Sequence, residues 1–193
     1  MASAAPDVTE DNQPTSKANK RIALLIGVLA LLLAFSEILG KNAEQDALSR
    51  NIEASNLWAF FQAKTIRGTT LRTAAEAMEI ELANATEPAA RERLQKRIDG
   101  WKATIARYES EPETNEGRKE LIARAKAAEA RRDISSARDD KYDIVSGLLQ
   151  IAIVVASAAI ITGVTLLAWT GVGLGVLGFV LMVVAEVAPT ALF

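Results

Sequence analysis

The chain has 193 residues, 50% of them apolar but only 5% aromatic, and its 22 basic and 24 acidic side chains leave a net charge of −2. It contains no cysteine and no histidine, which excludes thiol nucleophiles, disulfides, Cys/His zinc sites and any catalytic triad with an imidazole base. Near-neutral charge also removes the basic footprint that a nucleic-acid binder needs.

Residues 1–21 are polar, contain proline and end in Lys17, Lys20 and Arg21. Nothing there builds a core, so the stretch reads as a disordered tail. Ile22 to Leu39 then run IALLIGVLALLLAFSEIL, interrupted only by Ser36 and Glu37. As a helix this covers about 27 Å, enough to cross a hydrocarbon layer. A cleaved signal peptide would carry a shorter apolar run and an A-x-A-like site. SEILGKNAEQDA offers none, so 22–40 is assigned as an uncleaved transmembrane helix.

Residues 41–143 hold 19 basic and 19 acidic side chains and little Gly or Pro. Periodicity predicts helix near 42–85, 88–110 and 115–143, an extramembrane coiled-coil-like domain. The first helix continues from the apolar segment before it and the last runs into the one after it. Leu71, Ala75, Met78 and Leu82 follow a four-three rhythm, as do Leu94, Ile98, Trp101, Ile105 and Tyr108. Ala123, Ala127, Ala130, Ile134 and Ala137 repeat it with small residues. Thr86 before Pro88 reads as a helix cap, and EPETNEG at 111–117 as a break. Three helices pose a parity problem, because an even number most simply returns a chain to the side it left. Either the first helix bends near Gly68, Thr69 and Thr70, or one segment lies crosswise. Leu57, Trp58, Phe60 and Phe61, followed by Lys64 and Arg67, either rest on a membrane surface or fill the centre of this domain.

From Ile144 to Val187 the only charge is Glu186. That length suits two spans, placed at 144–168 and 172–188 with a break at Trp169, Thr170 and Gly171 and a short tail at 189–193. Tyr142 and Trp169 bracket the first of these spans as interfacial anchors would.

Helices in lipid associate through close packing, so small residues mark contact faces. Ala23, Gly27, Ala30 and Ala34 form such a stripe on the first span. Ala152, Ala156, Ala159 and Gly163 do so on the second, and Gly171, Gly175 and Gly178 on the third. Glu37, Gln150 and Glu186 enter the apolar segments from the side of the helical domain. Such a set either forms an intramembrane polar site for a cation or proton, or is hydrated at headgroup level. Gly173, Gly175 and Gly178 match G-x-G-x-x-G, but no strand precedes them and no acid follows at the required distance, so this is no dinucleotide site. Asn84-Ala85-Thr86 is a glycosylation sequon by letter only. No cofactor or metal motif is present.

Lys17, Lys20 and Arg21 place the tail in the cytoplasm and the helical domain in the periplasm, while the basic residues just before the second span oppose this. The segments NKRIALLIGVLALLLAFSE, NIEASNLWAFFQAKTIRGTTLRTAAE and DISSARDDKYDIVSGLLQIAIVVASAAIITG resemble a bacterial membrane-protein family known only as a domain of unknown function. The resemblance covers roughly residues 19–188 and implies an inner-membrane protein with three spans, without implying an activity.

The expectation is an all-α, multi-pass protein of the bacterial inner membrane that is not an enzyme. It would act as a scaffold or accessory subunit in the lipid bilayer, as a homo-oligomer or within a larger membrane complex. Its spans would pack through the small-residue seams and its helical domain would dock partners. The alternative is an oligomeric ion- or proton-conducting protein, similar in layout alone to the proton-driven motor subunits that energise outer-membrane transport.

Overall fold

A computed structural model describes residues 17–191. The first sixteen residues of the expected tail, and the last two of the chain, lie outside them. Four helices follow in order: α1 (Lys17–Asn84), α2 (Pro88–Glu109), α3 (Arg118–Thr162) and α4 (Thr165–Val187). No strand occurs among the described residues. α1, α3 and α4 each contain a segment long and apolar enough to cross a membrane. The chain divides into two compact units, one of residues up to Lys41 and from Asp139 onward, the other of Asn42–Arg138.

The first unit joins the start of α1, the second half of α3 and all of α4. Leu29, Val145, Leu149 and Ala152 are its buried centre, with Leu25, Leu32, Leu33, Ile153, Leu174, Leu181 and Met182 packed around them. α3 and α4 form an antiparallel hairpin whose turn corrects the expected break at Trp169. The break falls at Gly163, whose φ of +70° is left-handed. Only glycine takes that conformation freely, and this is the usual way a helix stops. The Gly163 amide still donates to Ala159 O at 3.0 Å. Trp169, Thr170 and Gly171 lie inside α4, where the Thr170 hydroxyl folds back onto Leu167 O at 2.8 Å. The second apolar helix therefore ends at Thr162 and the third starts at Thr165, in place of the expected 168 and 172.

The second unit resolves the parity problem without a bend. α1 runs through Gly68 unbroken, and the Thr69 and Thr70 hydroxyls return to Thr65 O and Ile66 O at 3.0 Å each. Along α1 from Glu79 back to Asp46, the partners rise steadily in number. Glu79 meets Lys102, Lys64 meets Glu111, Phe61 meets Arg118, Trp58 meets Glu129, Asn51 meets Arg132 and Asp46 meets Ser135. α2 and the first half of α3 thus lie in series, both antiparallel to α1. Two short helices laid end to end return the chain as one long one would.

Ala54, Leu57, Leu121, Ala125 and Ala128 form the core, and Trp58, Phe60 and Phe61 pack against it. These aromatics fill the centre of the unit. Trp58 meets Phe61 edge to face, with ring centroids 5.7 Å apart, a favoured aromatic geometry. Its indole N–H donates to Glu129 Oε1 at 2.8 Å. The seams at Leu71–Leu82 and Leu94–Tyr108 face inward, with Ala75 and Ile98 buried.

Two expectations are corrected here. On α3 the buried stripe is Leu121, Ala125, Ala128 and Ser135, while Ala123, Ala127, Ala130 and Ile134 are exposed. Alanines occupy every side of this helix, and the face that carries Leu121 turns in while the one that carries Ile134 stays out. Thr86 is not the cap of α2. Glu87 holds that position without a side-chain cap bond, and Pro88 at the first helical position, where a missing N–H costs nothing, sets the start.

Candidate functional site

Among the described residues, the apolar unit carries an internal polar cluster at the end where α1 reaches Gly40 and α4 reaches Glu186. Ser36, on α1, is fully buried. The Ser146 hydroxyl of α3 donates to Ser36 Oγ at 3.1 Å, and Ser36 donates onward to Tyr142 O at 3.2 Å. The Tyr142 phenol donates to Glu186 Oε2 of α4 at 2.9 Å. Lys141, 3% exposed, donates from Nζ to Pro189 O. A buried hydroxyl without a partner costs roughly 1–3 kcal/mol. Here each of these hydroxyls is spent on joining one helix to another, so the cluster is a polar clamp across all three helices. Gly40 permits it: a Cβ at that position would stand 3.1 Å from Tyr142 Cβ. Any side chain there would press α1 away from α3.

This arrangement changes the roles expected from sequence. Tyr142 is not an exposed interfacial anchor; at 2% exposure it lies inside the unit as the hub of the clamp. Its ring fills the space over Gly40 and its phenol finds an acceptor on α4. Trp169, its expected counterpart, is exposed. Glu37, Gln150 and Glu186 do not gather into one polar site. Glu37 and Gln150 are exposed on α1 and α3, and Glu186 is held by Tyr142. Ser36 and Ser146 were missed. The available signal was Ser146 four residues after Tyr142, and so on the same helix face, opposite a serine that interrupts an otherwise apolar run.

Two of the three small-residue stripes pack within the chain. Gly171 lies against Ala152 and Ala156, where a Cβ would stand 3.2 Å from both Ala152 O and Ala156 Cβ. Gly178 meets Leu149, and a Cβ on Gly175 would overlap Leu29 Cδ2. Leu29 of α1 thus inserts over a glycine of α4, a large side chain into a gap that only glycine leaves. That pairing turns the leucine face of α1 inward and its small face outward. Ala23, Gly27, Ala30 and Ala34 are exposed, and nothing lies within 4 Å of where a Gly27 Cβ would be. Gly163, at the end of the α3 stripe, serves as the turn instead.

In the charged unit, Lys64 is buried and paired with Glu111 at 3.3 Å. Its ammonium also lies 5.2 Å from the Phe60 ring centre and 5.6 Å from that of Tyr108. Glu120 fastens the loop between α2 and α3, accepting from the Ser110 hydroxyl at 2.7 Å and the Glu111 amide at 3.2 Å. The Ser110 bond holds its carboxyl below the usual carboxylate range. Lys102, hydrogen-bonded to Glu79, is held above the ordinary lysine value by that contact. Among the described residues, no three acidic side chains converge as metal ligands would.

No curated protein and no solved structure matches the chain. A family model described as "Domain of unknown function (DUF4337)" matches residues 18–188, which takes in nearly the whole of the four helices, and the chain belongs to that family.

Proposed function

We propose that the protein is a non-enzymatic scaffold or accessory subunit of the bacterial inner membrane, crossing it three times. The tail is cytoplasmic and the helical domain periplasmic, an orientation supported by Lys17, Lys20 and Arg21 ahead of the first apolar segment. The observation that carries the scaffold reading is the outward small-residue stripe on α1. Ala23, Gly27, Ala30 and Ala34 are exposed and short enough to let another helix approach closely, and close approach is what holds helices together in lipid. The polar clamp supports the same reading, since its hydroxyls are used in fixing three helices to one another.

The test is the double substitution Gly27→Leu and Ala30→Leu in the full chain, purified in mild detergent. Both positions are open, so the chain should fold with unchanged helicity while its assembly loses subunits by light scattering. An assembly of unchanged mass overturns the proposal. A proton flux in liposomes that disappears with Glu186→Gln would replace it with the conducting alternative.

A further inference from the structure

The side of α1 opposite its buried face carries an unpartnered seam. Ile52, Ala59, Ile66, Thr73 and Ile80 recur every seven residues, and the three isoleucines are 57%, 66% and 66% exposed. Asn56, Ala63, Thr70 and Ala77 fall four residues after the first four, completing an unbroken four-three repeat. All six charged residues between 52 and 80 lie off these nine positions. Thr70 adds to the apolar character, because its hydroxyl is turned back to Ile66 O and leaves its methyl outward. A shallow trough runs along this face past Ile66, Thr70, Thr73 and Ala77.

We propose that this seam is the contact through which a second copy of the chain pairs in parallel, α1 against α1. The inference rests on the scaffold reading and names its partner. A 3.5-residue repeat stays in line only against another helix that supercoils with it. A membrane surface would instead call for a Lys- and Arg-rich flank. Here Glu53, Glu76 and Glu79 are mixed with Arg67 and Arg72. Copies inserted the same way in one bilayer leave it with the same chain direction, so the seam meets itself in register. Isoleucine then faces isoleucine, small residues face small residues, Asn56 faces Asn56, and no charge is buried. One step back from Ile52 the repeat meets Gln45, so the apolar seam runs from Ile52 to Ile80.

The absence of native cysteine makes disulfide mapping in membranes direct. Single substitutions Ala59→Cys, Ile66→Cys, Thr73→Cys and Ile80→Cys in the full chain should give oxidised dimer at least five-fold above Lys96→Cys and Arg131→Cys, two exposed controls on α2 and α3. Adding Ile66→Glu and Ile80→Glu to the Thr73→Cys chain should lower the dimer at least ten-fold with helicity unchanged. Equal cross-linking at seam and control positions overturns the proposal, as does dimer that survives both glutamates. If cross-links fail while the Gly27/Ala30 variant still loses subunits, the second copy on this seam is refuted and the scaffold stands. If both fail, both readings fall.

Discussion

Breaking the Lys64–Glu111 pair from its two ends should have unequal effects. Lys64 is nearly enclosed, and Glu111 keeps about a fifth of its side-chain surface, with Arg107 Nε a further 3.5 Å away. Lys64→Met removes a charge that was costly to bury and leaves the glutamate with water and a second cation. The loss is the pair's net value, about 1 kcal/mol, offset in part by better packing against Phe60 and Tyr108. Glu111→Gln leaves an ammonium inside the unit facing two aromatic rings and at most a neutral amide oxygen. Stranding a buried charge costs about 3–5 kcal/mol when no relief exists. The rings face the ammonium in both chains, and a bond to the remaining amide oxygen returns about 1 kcal/mol of that, so the expected loss is about 2–4 kcal/mol. The double substitution should lie close to Lys64→Met alone, because the stranded charge is gone. Denaturant unfolding of the full chain in detergent, followed by tryptophan fluorescence, measures this, since Trp58 and Trp101 both belong to the charged unit. Glu111→Gln no more destabilising than Lys64→Met would refute the reasoning.

Three further outcomes are expected. Gly175→Val should destabilise the apolar unit by about 1–3 kcal/mol through overlap with Leu29, and Leu29→Ala in the same chain should recover part of it in a thermal melt; no recovery would mean that Leu29 is not the obstacle. Gly163→Ala, at a φ of +70°, should cost about 1 kcal/mol without altering oligomeric mass, and an unchanged melting temperature would place the turn elsewhere. Glu120 titrates below its ordinary value of 4.5 in the folded chain, so its contribution is complete above that value and is lost as pH falls through the lowered one. Lys102 titrates above its ordinary 10.5, so its contribution is complete below that value and is lost as pH climbs through the raised one. Unfolding midpoints against pH should show small acid and alkaline losses, the first reduced by Ser110→Ala and the second by Glu79→Gln.

Element content was legible because each helix carries a strong period and few breakers. Long apolar runs identified the three candidate spans for the same reason. The turn at Gly163 was missed because Trp169 reads as an interface marker, whereas a single glycine at a helix end decides the matter through its φ. The buried side of α3 was hidden by alanine, which offers a four-three pattern on any face. The pairing of α2 and α3 in series is a tertiary arrangement, and no local period records which helix lies beside which. In the candidate site, polar residues interrupting the apolar runs selected Glu37 and Gln150. The cluster is built instead on two serines, a tyrosine and Lys141, whose value depends on partners more than a hundred residues away for Ser36.

The serial layout of α2 and α3 along α1 also sets an order of closure. Glu79 and Lys102 are 23 residues apart in sequence. The next ties span 47 residues at Lys64–Glu111, 71 at Trp58–Glu129, 81 at Asn51–Arg132 and 89 at Asp46–Ser135. Taken singly, the last would be an expensive long-range encounter. Taken after its predecessor, each adds only a short increment of free chain, and the entropy of closure grows slowly with such increments. Unit 2 therefore has the topology of a zip that starts at the C-terminal end of α1. A separation of 89 residues is thereby spanned by successive closures, without a single large search.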